Sequence, residues 1–191
     1  MPAKPRFTKD DIIDAAFELA KSGDLTQVTA REVAKRLGTS PSPIFTFFDG
    51  MDDLKEAVWQ KAMTTFYSSV FSSGGNMSYL DMGLKTVKFA EQNPGLFRLT
   101  FVYPHPEKSG IKADELFSDN LGYVYGVIAK AYSLSLDQAK LVHDQVWFYT
   151  FGLSMHCTAH PDTLGDEQIK ELLGMQFRAT LGFVKSGERK N

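Results

Sequence analysis

Two short stretches hold the side chains whose types and spacing could do chemistry. In "HCTAH", residues 156 to 160, His156 and His160 stand four apart with Cys157 between them. On one helical face that is the spacing of two imidazole ligands in some zinc sites. Pro161 follows at once, so the helix ends there, and no third histidine or carboxylate ligand is evident. Histidines in a last helical turn ordinarily answer the helix dipole. There is also no glycine-rich phosphate loop and no GxSxG elbow, so the sequence predicts no metal, no cofactor and no catalysis. The second stretch is "TAREVAKRLGTSPSPIFTFFDG", residues 29 to 50, which sets two prolines two apart and then crowds Ile44, Phe45, Phe47 and Phe48 into five positions. A helix interior does not tolerate Pro41 and Pro43, and a plain solvent loop has no use for four large apolar side chains.

The prolines fit if they open a helix. The first four backbone N–H groups of a helix lack internal acceptors, so proline there forfeits no hydrogen bond. Thr29 with Glu32 reads as a capping box that starts a short helix, whose Val33, Ala34 and Leu37 face inward, and Gly38 ends it. A second short helix then starts with Ser40 as its cap. That is the spacing of a helix-turn-helix, whose second helix enters the major groove of DNA. Ile44 and Phe48, four apart, pin its inner face and leave Ser42, Phe45, Thr46 and Phe47 directed outward. Ser42 and Thr46 are the expected base readers, with Pro41 and Pro43 in apolar contact.

The remaining elements that must carry this segment are helical too. Thr8 with Asp11 opens a helix with Ile12, Ile13, Ala16, Phe17, Leu19 and Ala20 on its apolar face. Longer helices are predicted from Asp52 to about Val70, from Ser78 with Asp81 to "NPG", and from Pro94 through "LFRLTF". Others are predicted at about 114 to 133, at 136 to about 158 behind Ser135 with Gln138, and at about 166 to 185. Strand signals are nearly absent. The expected fold is all-α with about nine helices: a three-helix helix-turn-helix domain over residues 1–50, then a larger helical domain over 51–191, to which the resemblance described below adds ligand binding and dimerisation. The last two helices are apolar nearly all round, through Trp147, Phe148, Tyr149, Phe151, Leu153 and Met155 on one and Leu172, Leu173, Met175, Phe177, Leu181, Phe183 and Val184 on the other. Such helices bury more than one side, which predicts contact with a second subunit.

Composition narrows the classes. With 191 residues, 43% apolar and 13% aromatic, the chain has material for a full core. The run "QVWFYTFGLSMHCTA" at 145 to 159 is shorter than the ~18 to 20 residues of a membrane span, and the charged N-terminal residues are not a signal peptide. A cytoplasmic protein with no membrane partner is expected. A single cysteine excludes an intrachain disulfide and a multi-cysteine zinc cluster. The net charge of −2 argues against coating nucleic acid uniformly, although residues 1–48 hold seven Lys/Arg against six Asp/Glu.

These residues resemble the TetR family of bacterial transcriptional regulators. "FTKDDIIDAAFELAKSGDLTQVTAREVAKRLGTSPSPIFTFFDGMDDLKEAV" is similar to its N-terminal DNA-binding region over almost the whole length. "FAEQNPGLFRLTF" and "WFYTFGLSMHCTA" resemble parts of the C-terminal domain in one branch, with Phe151 in place of a His before Gly152. The resemblance implies an all-helical homodimer joined through the last two helices, whose larger domain binds a small inducer that releases a double-stranded DNA operator. It also implies a Tyr at the end of the recognition helix, a His two positions later and a Lys opening the next helix, all near DNA phosphates. Here those positions hold Phe45, Phe47 and Met51. Compensating contacts are expected from Lys55, one turn after Met51, from Arg31 at a family position that reaches the groove, and from Lys4 and Arg6 in the N-terminal arm. Thr29 and Thr39 would add neutral phosphate contacts, and Phe45 and Phe47 would pack on thymine methyls.

The expected function is therefore a DNA-binding regulator, a repressor of weak or moderate affinity for a palindromic operator with half-sites about 34 Å apart. The alternative is a ligand-binding dimer of the same fold whose DNA-binding head has lost its function. A pocket for a small apolar or aromatic effector is expected in the larger domain. Its candidate wall is Leu96, Phe97, Phe101, Tyr103, Phe117, Leu121, Tyr125, Trp147, Phe148, Phe151 and Met155, with His143, Gln145 and His156 as polar handles.

Overall fold

A computed structural model describes residues 7–21, 25–71, 78–103 and 113–187, without the side chains of 113–120. Among the described residues there is no strand. Eight α-helices follow in order: α1 (Lys9–Ala20), α2 (Ala30–Leu37), α3 (Met51–Phe71), α4 (Tyr79–Gln92), α5 (Pro94–Phe101), α6 (Ala113–Tyr132), α7 (Leu136–Ala159) and α8 (Asp166–Ser186). Two short 3₁₀ turns, Leu25–Gln27 and Ile44–Thr46, complete the described elements. The all-α class is as expected. The recognition helix expected at residue 40 onward is instead the 3₁₀ turn, and the count falls from about nine to eight for that reason.

Packing divides the chain into two compact units, Met1–Ser68 with Asn93–Gly110, and Ser69–Gln92 with Ile111–Asn191. These bounds differ from the functional division expected at residue 50, because most of α3 and all of α5 pack with the helix-turn-helix.

In the first unit, helix starts follow local chemistry. Thr8 Oγ1 accepts the Asp11 N–H at 3.1 Å, and Asp11 Oδ2 accepts the Thr8 N–H at 2.8 Å. Both orphan donors are satisfied, as the sequence predicts. At α2 the Thr29 half forms, with Oγ1 accepting the Glu32 N–H at 3.2 Å, while the Glu32 carboxylate lies 3.8 Å from Lys35 Nζ. Ile12, Ala16 and Phe17 of α1, Val33 and Ala34 of α2, and Leu54, Val58, Trp59, Ala62 and Met63 of α3 are buried. Trp59 Nε1 donates to the Thr100 carbonyl at 3.4 Å, tying α3 to α5. Phe101 meets Phe66 edge-on, with ring centres 4.8 Å apart, and Phe97 at 5.1 Å. Lys61 pairs with Asp14 and also lies over the Phe17 ring, 5.3 Å from its centre.

In the second unit α7 is central, with α4, α6 and α8 packed on it and α8 also against α4. One core joins Val124 and Ile128 of α6 to Ala139, Val142 and Val146 of α7 and Phe177 and Val184 of α8. A second joins Val87, Cys157, Ile169 and Leu173. The capping pairs Ser78 with Asp81 and Ser135 with Gln138 form as predicted. Lys88 Nζ bridges Glu91 at 3.0 Å and Asp166 at 2.9 Å, and Glu91 Oε1 accepts the Asp162 N–H at 3.0 Å, which fastens the α7–α8 connection to α4.

Candidate nucleic-acid interface

The turn after α2 is built by Gly38, whose φ of 65° and ψ of 39° are left-handed. Its N–H donates to the Lys35 carbonyl at 3.2 Å, and the Thr39 N–H reaches back to the Ala34 carbonyl at 3.0 Å. These two bonds satisfy the last carbonyls of α2 and reverse the chain. The segment that follows winds as 3₁₀. Bonds run from Phe45 N–H to Ser42, from Thr46 N–H to Pro43 and from Phe47 N–H to Ile44, all three residues back; Phe48 N–H to Ile44 is the first α-type bond. Pro41 and Pro43 lie at its start, where a missing N–H forfeits no bond, and the segment stops after a single α-type bond.

Ile44 and Phe48 are buried, as their four-residue spacing predicts, and Ser40, Pro41, Ser42, Phe45 and Thr46 are exposed. Pro43, Thr39 and Phe47 are half-buried. Thr29 and Arg31 are exposed and Lys55 is half-buried on α3. Lys4 and Arg6 lie outside the described residues. Two side chains escaped the sequence reading. Lys35, four residues after Arg31 and likewise exposed, shares its face of α2; helical register alone would have found it. Lys9 holds its ammonium 5.0 Å from the centre of the Phe48 ring, a contact across 39 positions that no local pattern announces. Opposing charge is present too. Asp49 and Asp52 are exposed where α3 begins, and Asp53 Oδ2 accepts the Asp49 N–H at 3.1 Å.

The effector candidates divide between the two compact units. Phe97 is fully buried and Phe101 is held between Phe97 and Phe66, while Tyr103 is exposed; these three and Leu96 belong to the first compact unit. Phe148 is 68% exposed, so it faces solvent in the single chain. Gln145 and His156 are exposed as well, and the side chain of Phe117 lies outside the description. Leu121, Phe151 and Met155 are half-buried.

Tyr125, His143 and Trp147 do come together. His143 meets Tyr125 edge-on, with ring centres 5.3 Å apart, and stacks on Trp147 at 6.5 Å, and its Nδ1 shares a hydrogen bond of 3.0 Å with the Tyr79 hydroxyl. Burial lowers the His143 pKa, so the imidazole is neutral at pH 7, and burial raises that of Tyr79, with Asp144 and Tyr125 adding to the rise. A cavity of about 30 Å³, room for a single water, opens beside this cluster between Tyr79, Leu80, Gly83, Val146, Thr150 and Leu173. The His156 and His160 rings lie 5.1 Å apart at the end of α7, and no group of three His, Cys, Asp or Glu ligands occurs among the described residues. No helix among them is long and apolar enough to cross a membrane.

The profile of the bacterial regulatory proteins of the tetR family matches residues 12–58, from α1 through the turn into α3. The chain is 22% identical over 113 residues to the uncharacterized HTH-type transcriptional regulator YobS of Bacillus subtilis, and the match spans 57% of this chain and 59% of that protein's length. Among solved structures, a putative tetR family regulator from Shewanella superposes with a TM-score of 0.65 at 16% identity, covering 93% of this chain and 97% of that one. A TetR family regulator from Marinobacter aquaeolei gives 0.66 at 15%, covering 90% and 94%. The fatty acid degradation regulator FadR of Bacillus halodurans gives 0.61 at 15%, covering both chains completely. At these identities the structures speak for the fold.

Proposed function

We propose, from the premise that this chain belongs to the tetR family of bacterial regulatory proteins, that it is a homodimeric cytoplasmic repressor which reads a palindromic operator and is released by a small apolar or aromatic ligand. The family and the relatives named above are regulators, not enzymes. One observation carries the reading: the proline-led turn is pinned by buried Ile44 and Phe48 while Ser42, Phe45 and Thr46 stand exposed on its other side. A segment held from within and bare without suits insertion into a major groove.

Pairing of subunits is supported by α7 and α8. Phe148, Met175 and Phe183 are exposed there, and an open groove of about 400 Å³ runs along Leu141, Gln145, Ala179, Thr180, Phe183 and Val184. A second copy laid on this face would cover the large apolar side chains and set two DNA-binding heads at a fixed distance. For the ligand, the assembled trio Tyr125, His143 and Trp147 with Tyr79 is the better candidate than Phe97 or Phe148. It joins aromatic surface to a neutral imidazole and a phenol.

Affinity should be modest. Arg31, Lys35 and Lys55 offer cationic contacts, but Phe45, Phe47 and Met51 replace three polar phosphate partners, and hydrogen bonds to a charged group are worth about 1.5–3 kcal/mol each. Gel shifts with DNA from upstream of the protein's own coding sequence, repeated across salt concentrations, test the reading. A sequence-specific shift that weakens with salt is expected. No specific shift even at low salt, with dimerisation and ligand binding intact, would establish the other reading, a ligand-binding dimer with an idle head, which the same three replacements favour.

A further inference from the structure

We propose that Phe45 reads a thymine methyl group and Thr46 an adenine amino group, so that each operator half-site contains an A·T pair recognised through these two features and responds to methylation at pyrimidine C5. This rests on the operator-binding reading above and deepens it. Thr46 Oγ1 lies 2.6 Å from the carbonyl oxygen of Pro43. A carbonyl only accepts, so the hydroxyl proton is committed to Pro43 and the oxygen of the exposed Thr46 is left as an acceptor alone. The same carbonyl takes the Thr46 N–H at 3.3 Å, which fixes backbone and side chain together. In the major groove such an acceptor finds a donor only at adenine N6 or cytosine N4; guanine N7 and O6 and thymine O4 are acceptors and oppose it.

Phe45 narrows the choice between those two. The residue is 50% exposed, and its N–H is already bound to the Ser42 carbonyl at 3.2 Å. An aromatic ring presented to base edges gains by covering an apolar group, and thymine C5 carries the methyl that the four ordinary bases offer there. Neighbouring residues thus present one acceptor and one apolar face. An A·T pair answers both, with an amino donor and a methyl, whereas a G·C pair supplies the donor without the methyl. A 5-methylcytosine·G pair supplies both again and should imitate A·T.

The test uses the full chain and a duplex that it selects from a random pool. Exchanging half-site thymines for deoxyuridine deletes only the methyl, and binding is expected to weaken about 3–5-fold for each methyl covered. Exchanging the A·T pair for 5-methylcytosine·G should retain more affinity than exchanging it for C·G. Phe45→Ala is expected to bind more weakly and to lose the distinction between thymine and uracil. Thr46→Val keeps shape and loses the acceptor, so it should bind about 3–10-fold more weakly while still preferring thymine to uracil. Should either variant melt early, the uracil comparison on the unaltered chain still decides. Equal affinity for thymine and uracil duplexes overturns the inference and leaves operator binding standing, whereas a pool from which nothing is enriched overturns both.

Discussion

Replacing Gly38 isolates the turn that aims the segment proposed to meet DNA. A Cβ placed on Gly38 meets nothing within 4 Å, so Gly38→Ala adds no clash, and its cost comes from the backbone dihedrals alone. At φ 65° an L-residue with a Cβ is strained by about 1–2 kcal/mol. The narrower unfolded ensemble of alanine offsets about 0.4–1 kcal/mol of that, leaving a net loss of about 0.8 kcal/mol. In a chain of this size that corresponds to roughly 2–3 °C in melting temperature. Gly38→Asn should lose less, because asparagine visits left-handed backbone several-fold more readily than other side chains. Urea titration followed by Trp59 fluorescence, in a Trp147→Phe background, reports the compact unit that contains the turn. An alanine variant as stable as the parent or more so, or one indistinguishable from asparagine, would refute the left-handed turn and with it the aim of the following segment. Operator affinity measured on the same proteins should follow the order glycine, asparagine, alanine.

Three further expectations follow from the second unit and its surface. A Cβ on Gly83 would lie 2.9 Å from Leu173 Cδ1, but both residues border the cavity of about 30 Å³, so Leu173 can yield; Gly83→Ala should stay within about 1 kcal/mol of the parent in urea, while Gly83→Val should cost about 1–3 kcal/mol. Burial depresses the His143 pKa, so the unfolded chain binds the extra proton first: stability should be complete above about pH 6.5 and fall as pH drops below it toward the folded value. His143→Phe should flatten that part of the profile, and an unchanged slope would remove the assignment. Phe183→Glu places a charge on the exposed face of α8 and should weaken dimerisation by at least about 30-fold in sedimentation velocity while leaving the melting of the monomer nearly unchanged.

What could be read from the sequence was whatever a residue decides with its own backbone. Thr8 with Asp11, Ser78 with Asp81 and Ser135 with Gln138 cap helices three positions away, and Pro94 opens α5 as its missing N–H requires. The inward Ile44 and Phe48 were legible for the same reason, since four residues return a side chain to the same side. The 3₁₀ winding was less accessible: the prolines announce a start, but how far a ladder propagates depends on every donor after them. Choices between elements were least accessible. Apolar periodicity marks that Phe97 and Phe148 sit on apolar helices, yet one fills a core and the other meets solvent, and only packing separates them.

The replacements at Phe45, Phe47 and Met51 have a consequence for how such a regulator would work. Phosphate contacts supply affinity to every sequence alike, while base contacts supply the difference between sequences. Under the proposed function, fewer polar phosphate partners would lower specific and non-specific binding together and leave their ratio to Phe45, Thr46 and Ser42. A head of this kind would hold DNA weakly on its own. Two heads on one rigid dimer combine their binding energies with only a single association cost, so occupancy depends on subunit pairing far more than it would for a strongly cationic head. A ligand that misaligns the two heads slightly then need overcome only the weak hold of one half-site to release the whole dimer.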